Sequence, residues 1–212
     1  MSARDTILSA IAATLDPRPA QAAIDAEAQA LLLDLDEVRP ALPPGALPDA
    51  FATRATSAKV GATLERIGAL PDLPGRVAAY LAGHGLPPAL ALQQEPPLLA
   101  LDWSGFALRD AALPNEAAAV GLARHGIAET GSLVFHSGAD TAVLGHFLPL
   151  HHIAVLHARD ILPHLEDLAP APATLPRNLN LVTGASGTTD IEGSYVRGAH
   201  GPRHLHIVLI DD

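Results

Sequence analysis

The chain has 212 residues and a formal net charge of −10. That balance argues against nucleic acid or an anionic membrane surface as partner, since both require a basic footprint. The lack of cysteine excludes disulfides, thiolate nucleophiles and cysteine-held iron–sulfur clusters on this chain. Hydrophobic residues make up 49% but aromatic residues only 3%, so a core must be built from Ala, Leu, Val and Ile. No apolar run approaches the roughly 18 residues of a membrane span. The start, Met1 to Leu8, carries Arg4 and Asp5 and no secretory apolar stretch, so a cytoplasmic location is expected.

From Ser2 to Leu15, the residues Ile7, Leu8, Ile11 and Leu15 fall at helical spacing behind a capping serine, and Asp16-Pro17-Arg18-Pro19 ends the run. Ala20 to Leu35 is Ala-rich and reads as a second helix. Residues 1–37 are therefore expected to be a helical extension suited to packing or to a dimer arm, which leaves a homo-oligomer open. Residues 38–56 hold Pro40, Pro43, Pro44, Gly45 and Pro48 and read as a linker or surface loop. Residues 57–212 form the expected main domain. Ser57 to Ile67 holds its first strand, with helix as the rival reading. Pro74 to Gly83 is a helix, and Ala89–Gln93 and Leu98–Leu101 are short strands between prolines. The single tryptophan, Trp103, reads as a partly buried ring on a loop. Val120–Ala128 and Leu133–Phe135 are apolar runs, and Ile153–Leu156 is a buried strand. Asp160–Leu168 reads as a short helix capped by Asp160. Leu179–Val182 and Leu205–Ile210 complete the strands. Short apolar strands separated by helices point to the α/β class, with a mostly parallel sheet flanked by helices.

Two loops stand out. One is Glu129-Thr130-Gly131-Ser132. The other is Thr183-Gly184-Ala185-Ser186-Gly187-Thr188-Thr189-Asp190, with the turn Gly198-Ala199-His200-Gly201-Pro202-Arg203 behind it. Glycines let the second loop bend tightly, and Thr188, Thr189 or Asp190 can cap a helix behind it. A helix start there would offer free N–H groups and a positive dipole end to an anion. The plainer reading is a tight strand-to-helix turn. Ligands of open α/β sheets sit beyond the carboxyl ends of the strands, so both loops are expected to close on one cleft there. His204 and His206 share a strand face. With no cysteine and no His-Glu-x-x-His helix, histidines lining the cleft fit better than a metal site, so no metal is expected. Ser186 lacks the Gly-x-Ser-x-Gly setting of a hydrolase nucleophile.

These two loops, together with Leu148-Pro149-Leu150-His151-His152-Ile153-Ala154-Val155, resemble the LUD-domain family, that of lactate utilisation protein C. The motifs cover roughly the C-terminal half, in the family's order. The resemblance implies a NagB/RpiA/CoA-transferase-like fold. It implies a non-cluster subunit that works with a cysteine-rich subunit and an iron–sulfur subunit in oxidising L-lactate to pyruvate. Cofactors are then expected on those partners and none on this chain. The candidate contacts for a small anionic ligand are Thr130, Gly131, Thr183, Gly184, Ser186, Thr188, Asp190, His152 and Arg203. Glu129 and His200 are the catalytic candidates. Glu129 sits in a Glu-x-Gly element that resembles the catalytic glutamate loop of CoA transferases, where a carboxylate attacks a thioester. A stand-alone CoA-transferase-like or sugar-phosphate-isomerase-like enzyme using Glu129 is the alternative, and a turn-stabilising glutamate is the plainer one. The chain also departs from the family. Gly187 stands where an arginine is usual, which removes a bidentate anion binder and leaves that charge to Arg203 or Arg197. His152, His200 and His206 match the family's histidines, whereas His151 and His204 stand where it usually has other residues.

Overall fold

The computed structural model describes residues 2–15, 19–33, 39–168, 176–189 and 191–212. The chain divides into two units, Met1–Pro40 and Ala41–Asp212. In the first, α1 (Ala3–Thr14) opens with a reciprocal cap: Asp5 N donates to Ser2 Oγ at 3.3 Å, and Ser2 N donates to Asp5 Oδ2 at 2.9 Å. α2 spans Gln21–Leu33, and neither helix has a buried residue. The expected stop at 16–18 and the end of the second helix at Leu35 lie outside the described residues.

The second unit is built on a six-stranded parallel sheet of order β1-β12-β7-β4-β2-β3. Its strands are β1 (Thr63–Ile67), β2 (Ala89–Leu92), β3 (Ala107–Arg109), β4 (Ala118–Leu122), β7 (His151–His157) and β12 (His204–Ile210). The neighbouring strands β7 and β12 carry the apolar runs Ile153–Leu156 and Ile207–Ile210 because both of their faces are covered. On one face, α4 (Leu73–Gly83) sets Leu73, Val77 and Leu81 against Leu90, Val120, Ile153, Val155, Val208 and Ile210. On the other face lie α3 (Leu47–Ala55) and a second sheet of order β8-β5-β6-β9, where Phe51, Leu133 and Phe135 meet Leu156, Ile207 and Leu209. The second sheet comprises β5 (His125–Ile127), β6 (Ser132–His136), β8 (Ile161–Leu162) and β9 (Leu179–Val182).

Four expectations need correction. The proline-rich 38–56 stretch is not all linker: α3 lies inside it and buries Ala50, Phe51 and Ala55. Pro48 is accommodated in the first helical turn, where no N–H partner is required. Leu98–Leu101 is not a strand. Pro96–Leu99 forms a single helical turn, Leu98 is buried, and Trp103 Nε1 donates to its carbonyl at 2.7 Å, so the tryptophan is fully packed. Asp160–Leu168 is not one helix capped by Asp160. Pro163 divides it, giving a 3₁₀ turn at Ala158–Asp160, strand β8 and a 3₁₀ turn at Leu165–Asp167.

The fourth correction concerns the glycine-rich turn, which leads into a hairpin rather than a helix: β10 (Gly187–Thr189) pairs antiparallel with β11 (Tyr195–Arg197). β-Branched Thr188 sits across from Val196, a favourable cross-strand pair. The end of the exposed Tyr195 side chain lies over the place a Cβ on Gly187 would take. Asp190, expected as a cap, lies outside the described residues.

Candidate functional site at the amino end of the sheet

β6 runs antiparallel to both β5 and β9, so the β5–β6 turn and the residue after β9 arrive side by side, with Val182 opposite Leu133. A line of hydroxyls joins them. Thr130 Oγ1 lies 2.7 Å from Ser132 Oγ, which lies 2.6 Å from Thr183 Oγ1. Both glycines are required by close approach and by a left-handed backbone. Gly131, at φ 71°, would place a Cβ 2.7 Å from Ala55 N. Gly184, at φ 81°, would drive a Cβ into the carbonyl of Val60. The structure thus brings the two loops together, but not where they were expected. They meet beside Val60, just ahead of β1, at the amino end of the parallel sheet. The reason is that both flank the antiparallel sheet, whose strands carry the chain back across the parallel one.

Beyond Gly184, Ser186 ties the hairpin to the Gly198–Pro202 turn. Its N–H donates to Pro202 O at 2.9 Å, its carbonyl accepts from Gly198 N at 2.8 Å, and its hydroxyl accepts from His200 N at 3.3 Å. The side chains of His200 and Arg203 are exposed, and Thr188 is half-buried in β10. Arg197 reaches the same region, for its guanidinium would stand 3.1 Å from a Cβ on Gly61.

Along the α4 side of the sheet, the apolar rows of β7 and β12 give way at their amino ends to His151, His204 and His206, with His204 in register beside His151. α4 stops at Gly83, and Gly85, at φ 66°, turns the chain away. Tyr80 in its last turn and His84, its C-cap, cover the histidines. Tyr80 Oη lies 3.0 Å from His151 Nδ1 and its ring stacks on His206 at 4.3 Å. His206 is held on both nitrogens, by Thr63 Oγ1 at 2.8 Å and Glu65 at 3.1 Å. Burial would raise the Glu65 carboxyl, but its bonds from His206 and Arg76 outweigh this and hold it below the usual range. Burial, reinforced by His204 and His84, lowers His151 to about 4. Burial also lowers His204, with His84, Arg197 and Arg203 adding repulsion. Burial pushes Tyr80 up to about 12.

Two predicted residues lie apart from this rim. Glu129 is nearly buried, with one oxygen accepting from Leu165 N at 2.8 Å and the other 3.0 Å from His164 Nδ1. Both oxygens are thereby committed to the turn after β8. His152 points to the opposite sheet face, where it is buried against Phe135 and lies 3.5 Å from His146. Burial holds His152 well below its ordinary value and His146 at about 4. Nε2 of His146 and Nδ1 of His152 are buried without a hydrogen-bond partner.

Beside this pair, beyond the carboxyl ends of β2 and β4, lies a buried polar network that the sequence did not reveal. Gln93 accepts from Leu122 N at 2.7 Å and donates to Thr141 Oγ1 at 2.8 Å. Thr141 donates to Glu95 at 3.2 Å, and Glu95 also takes the Arg124 guanidinium. A cavity of about 70 Å³ adjoins the network, lined by Ala91, Gln93, Ala119, Asp140, Ala142 and His146 among others. No local motif marks Gln93, Glu95, Thr141 or His146. Tyr80 and His84 likewise join the amino-end rim only because α4 ends above it. Among the described residues, no cluster of three or more His, Asp or Glu side chains is arranged to hold a metal ion.

The parallel sheet, with a helix layer on one face and a small antiparallel sheet with α3 on the other, defines an α/β protein with its loops gathered at two opposite rims. A DUF162 family protein from Deinococcus radiodurans shares this fold, with a TM-score of 0.57 at 21% identity, covering 80% of this chain and 100% of that one. The LUD domain model matches residues 61–210, and the chain belongs to the LUD domain family. Lactate utilization protein C of Geobacillus thermodenitrificans is 32% identical over 93 residues, which are 41% of this chain and 39% of that protein. The uncharacterized protein YkgG of Escherichia coli is 33% identical over 106 residues, 46% of each chain. Lactate utilization protein C of Bacillus subtilis is 31% identical over 93 residues, 41% of this chain and 39% of that protein. The chain therefore spans less than half the length of these curated relatives. No helix among the described residues is long and apolar enough to cross a membrane.

Proposed function

We propose that this chain is the non-cluster component of an L-lactate-utilising system that oxidises lactate to pyruvate, and that it holds a small anionic ligand at the amino-end rim. The observation that carries this reading is the similarity to lactate utilization protein C within a matched LUD domain. The cysteine-free composition supports it, because cysteine-held redox centres would then sit on cysteine-rich and iron–sulfur partner subunits. The rim supports the anion, since the hydroxyls of Thr130 and Thr183 and the cations Arg197 and Arg203 lie on the loops that meet there. Deletion of the gene should abolish growth on L-lactate while sparing growth on pyruvate, and the tagged chain should retain iron–sulfur proteins on purification. Unimpaired growth on L-lactate, with no such partner retained, refutes the reading.

A further inference from the structure

The amino-end rim holds more imidazole than packing requires. His206 is engaged on both nitrogens. His84 uses Nδ1 on the Tyr80 carbonyl at 2.8 Å, and His151 uses Nδ1 on the Tyr80 hydroxyl at 3.0 Å. Among the described residues, Nε2 of each, and both nitrogens of His204, have no hydrogen-bond partner. These three rings are neighbours. His151 and His204 stack at 4.3 Å and 19°, while His84 lies 5.2 Å from His151 and 6.2 Å from His204. The ionised groups around them are mostly cationic: Arg197 and Arg203 act on His204, and Arg76 acts on His206. The carboxylate nearby, Glu65, is already paired with His206 and Arg76. A positive pole has therefore been assembled on a chain whose formal net charge is −10.

We propose that His84, His151 and His204, with Arg197 and Arg203, form a binding site for a small oxyanion, a carboxylate or a phosphate. Each imidazole offers an N–H, and the two guanidiniums offer fixed charge with several donors. Without an anion, burial disfavours the protonated forms of His151 and His204, and neighbouring imidazoles and guanidiniums add repulsion. An oxyanion among them reverses the sign, so binding draws a proton onto the rings and tightens as pH falls. Tyr80 and Glu65 complete the groups facing the cluster, and both are held by the bonds described above. The inference rests on the anionic ligand of the proposed function and gives that ligand a location.

The test is calorimetric titration of the full chain with inorganic phosphate and, separately, L-lactate, at pH 7.5 and pH 6.0. One proton taken up per anion makes binding roughly tenfold tighter per pH unit. The proton resonances of His84, His151 and His204 should shift on binding while those of His125 and His136 stay still. The double variant His151→Gln/His204→Gln should lose at least tenfold in affinity, and His136→Gln should lose nothing. Binding of phosphate alone or of L-lactate alone supports the site and identifies the oxyanion. Absence of binding by either at both pH values overturns the site, as does affinity unchanged in the double variant. The resonance shifts in the unmodified chain decide the matter if the double variant does not fold. If growth on L-lactate survives deletion, the proposed function fails while a positive titration stands. If growth is lost and the titration is flat, the site alone fails.

Discussion

Acid should destabilise this protein through His146. Its imidazole is 2% exposed and is lowered by burial to about 4 from an ordinary 6.5. The unfolded chain therefore binds a proton at a pH where the folded chain does not. Above pH 6.5 the ring is neutral in both states and costs nothing. As pH falls from 6.5 towards 4, the unfolded state gains protons first and stability falls. At pH 5.0 the ring is almost wholly protonated when unfolded and mostly neutral when folded, a penalty of about 2 kcal/mol at 1.36 kcal/mol per pKa unit. His152 and His151 shift in the same direction and add to the loss. Urea unfolding at pH 7.5 and pH 5.0 measures it, comparing the native chain with His146→Leu. The variant should lose about 2 kcal/mol less across that interval. Equal losses in the two chains would refute the reasoning.

Gly184→Ala forces a side chain into the Val60 carbonyl at a positive φ and should cost at least about 2 kcal/mol, read as a fall in the urea midpoint. Ser132→Ala removes the middle of the hydroxyl line and leaves Thr130 and Thr183 without their shared partner, a loss of about 1–2 kcal/mol in the same assay. Glu129→Ala strips the cap from Leu165 N and the partner from His164, so thermal unfolding should begin earlier, with a loss of about 1–3 kcal/mol. Because both Glu129 oxygens are occupied, incubation with acyl-CoA and hydroxylamine should leave Glu129 unmodified by mass spectrometry. A hydroxamate there would revive the thioester-attacking alternative.

The class of the fold was legible in the sequence because parallel strands buried on both faces read as unbroken apolar runs, as Ile153–Leu156 and Ile207–Ile210 do. The meeting of the Thr130 and Thr183 loops was legible too. Their position was not, since it depends on a second sheet made of two- to five-residue strands whose period is too short to read. The hairpin after Gly187 was hidden by threonines that suit a cap as well as a strand. Pro48 read as a breaker because proline punctuates loops and opens helices alike. The pairing of His151 with His204 is set by strand register, and register between strands 53 residues apart has no local signature.

The last strand of the large sheet in sequence lies inside it, not at its edge. β12 separates β1 from β7 and pairs with both along its length. Until Ile210 has left the ribosome, β1 has no neighbour in its sheet and the faces meant for β12 stay open. Pairing of β1 into the sheet must wait for β12, and such long-range pairings place the sheet among slow-folding topologies. A chain waiting at that stage shows two unpaired strand edges, on β1 and β7, open to pairing with other chains.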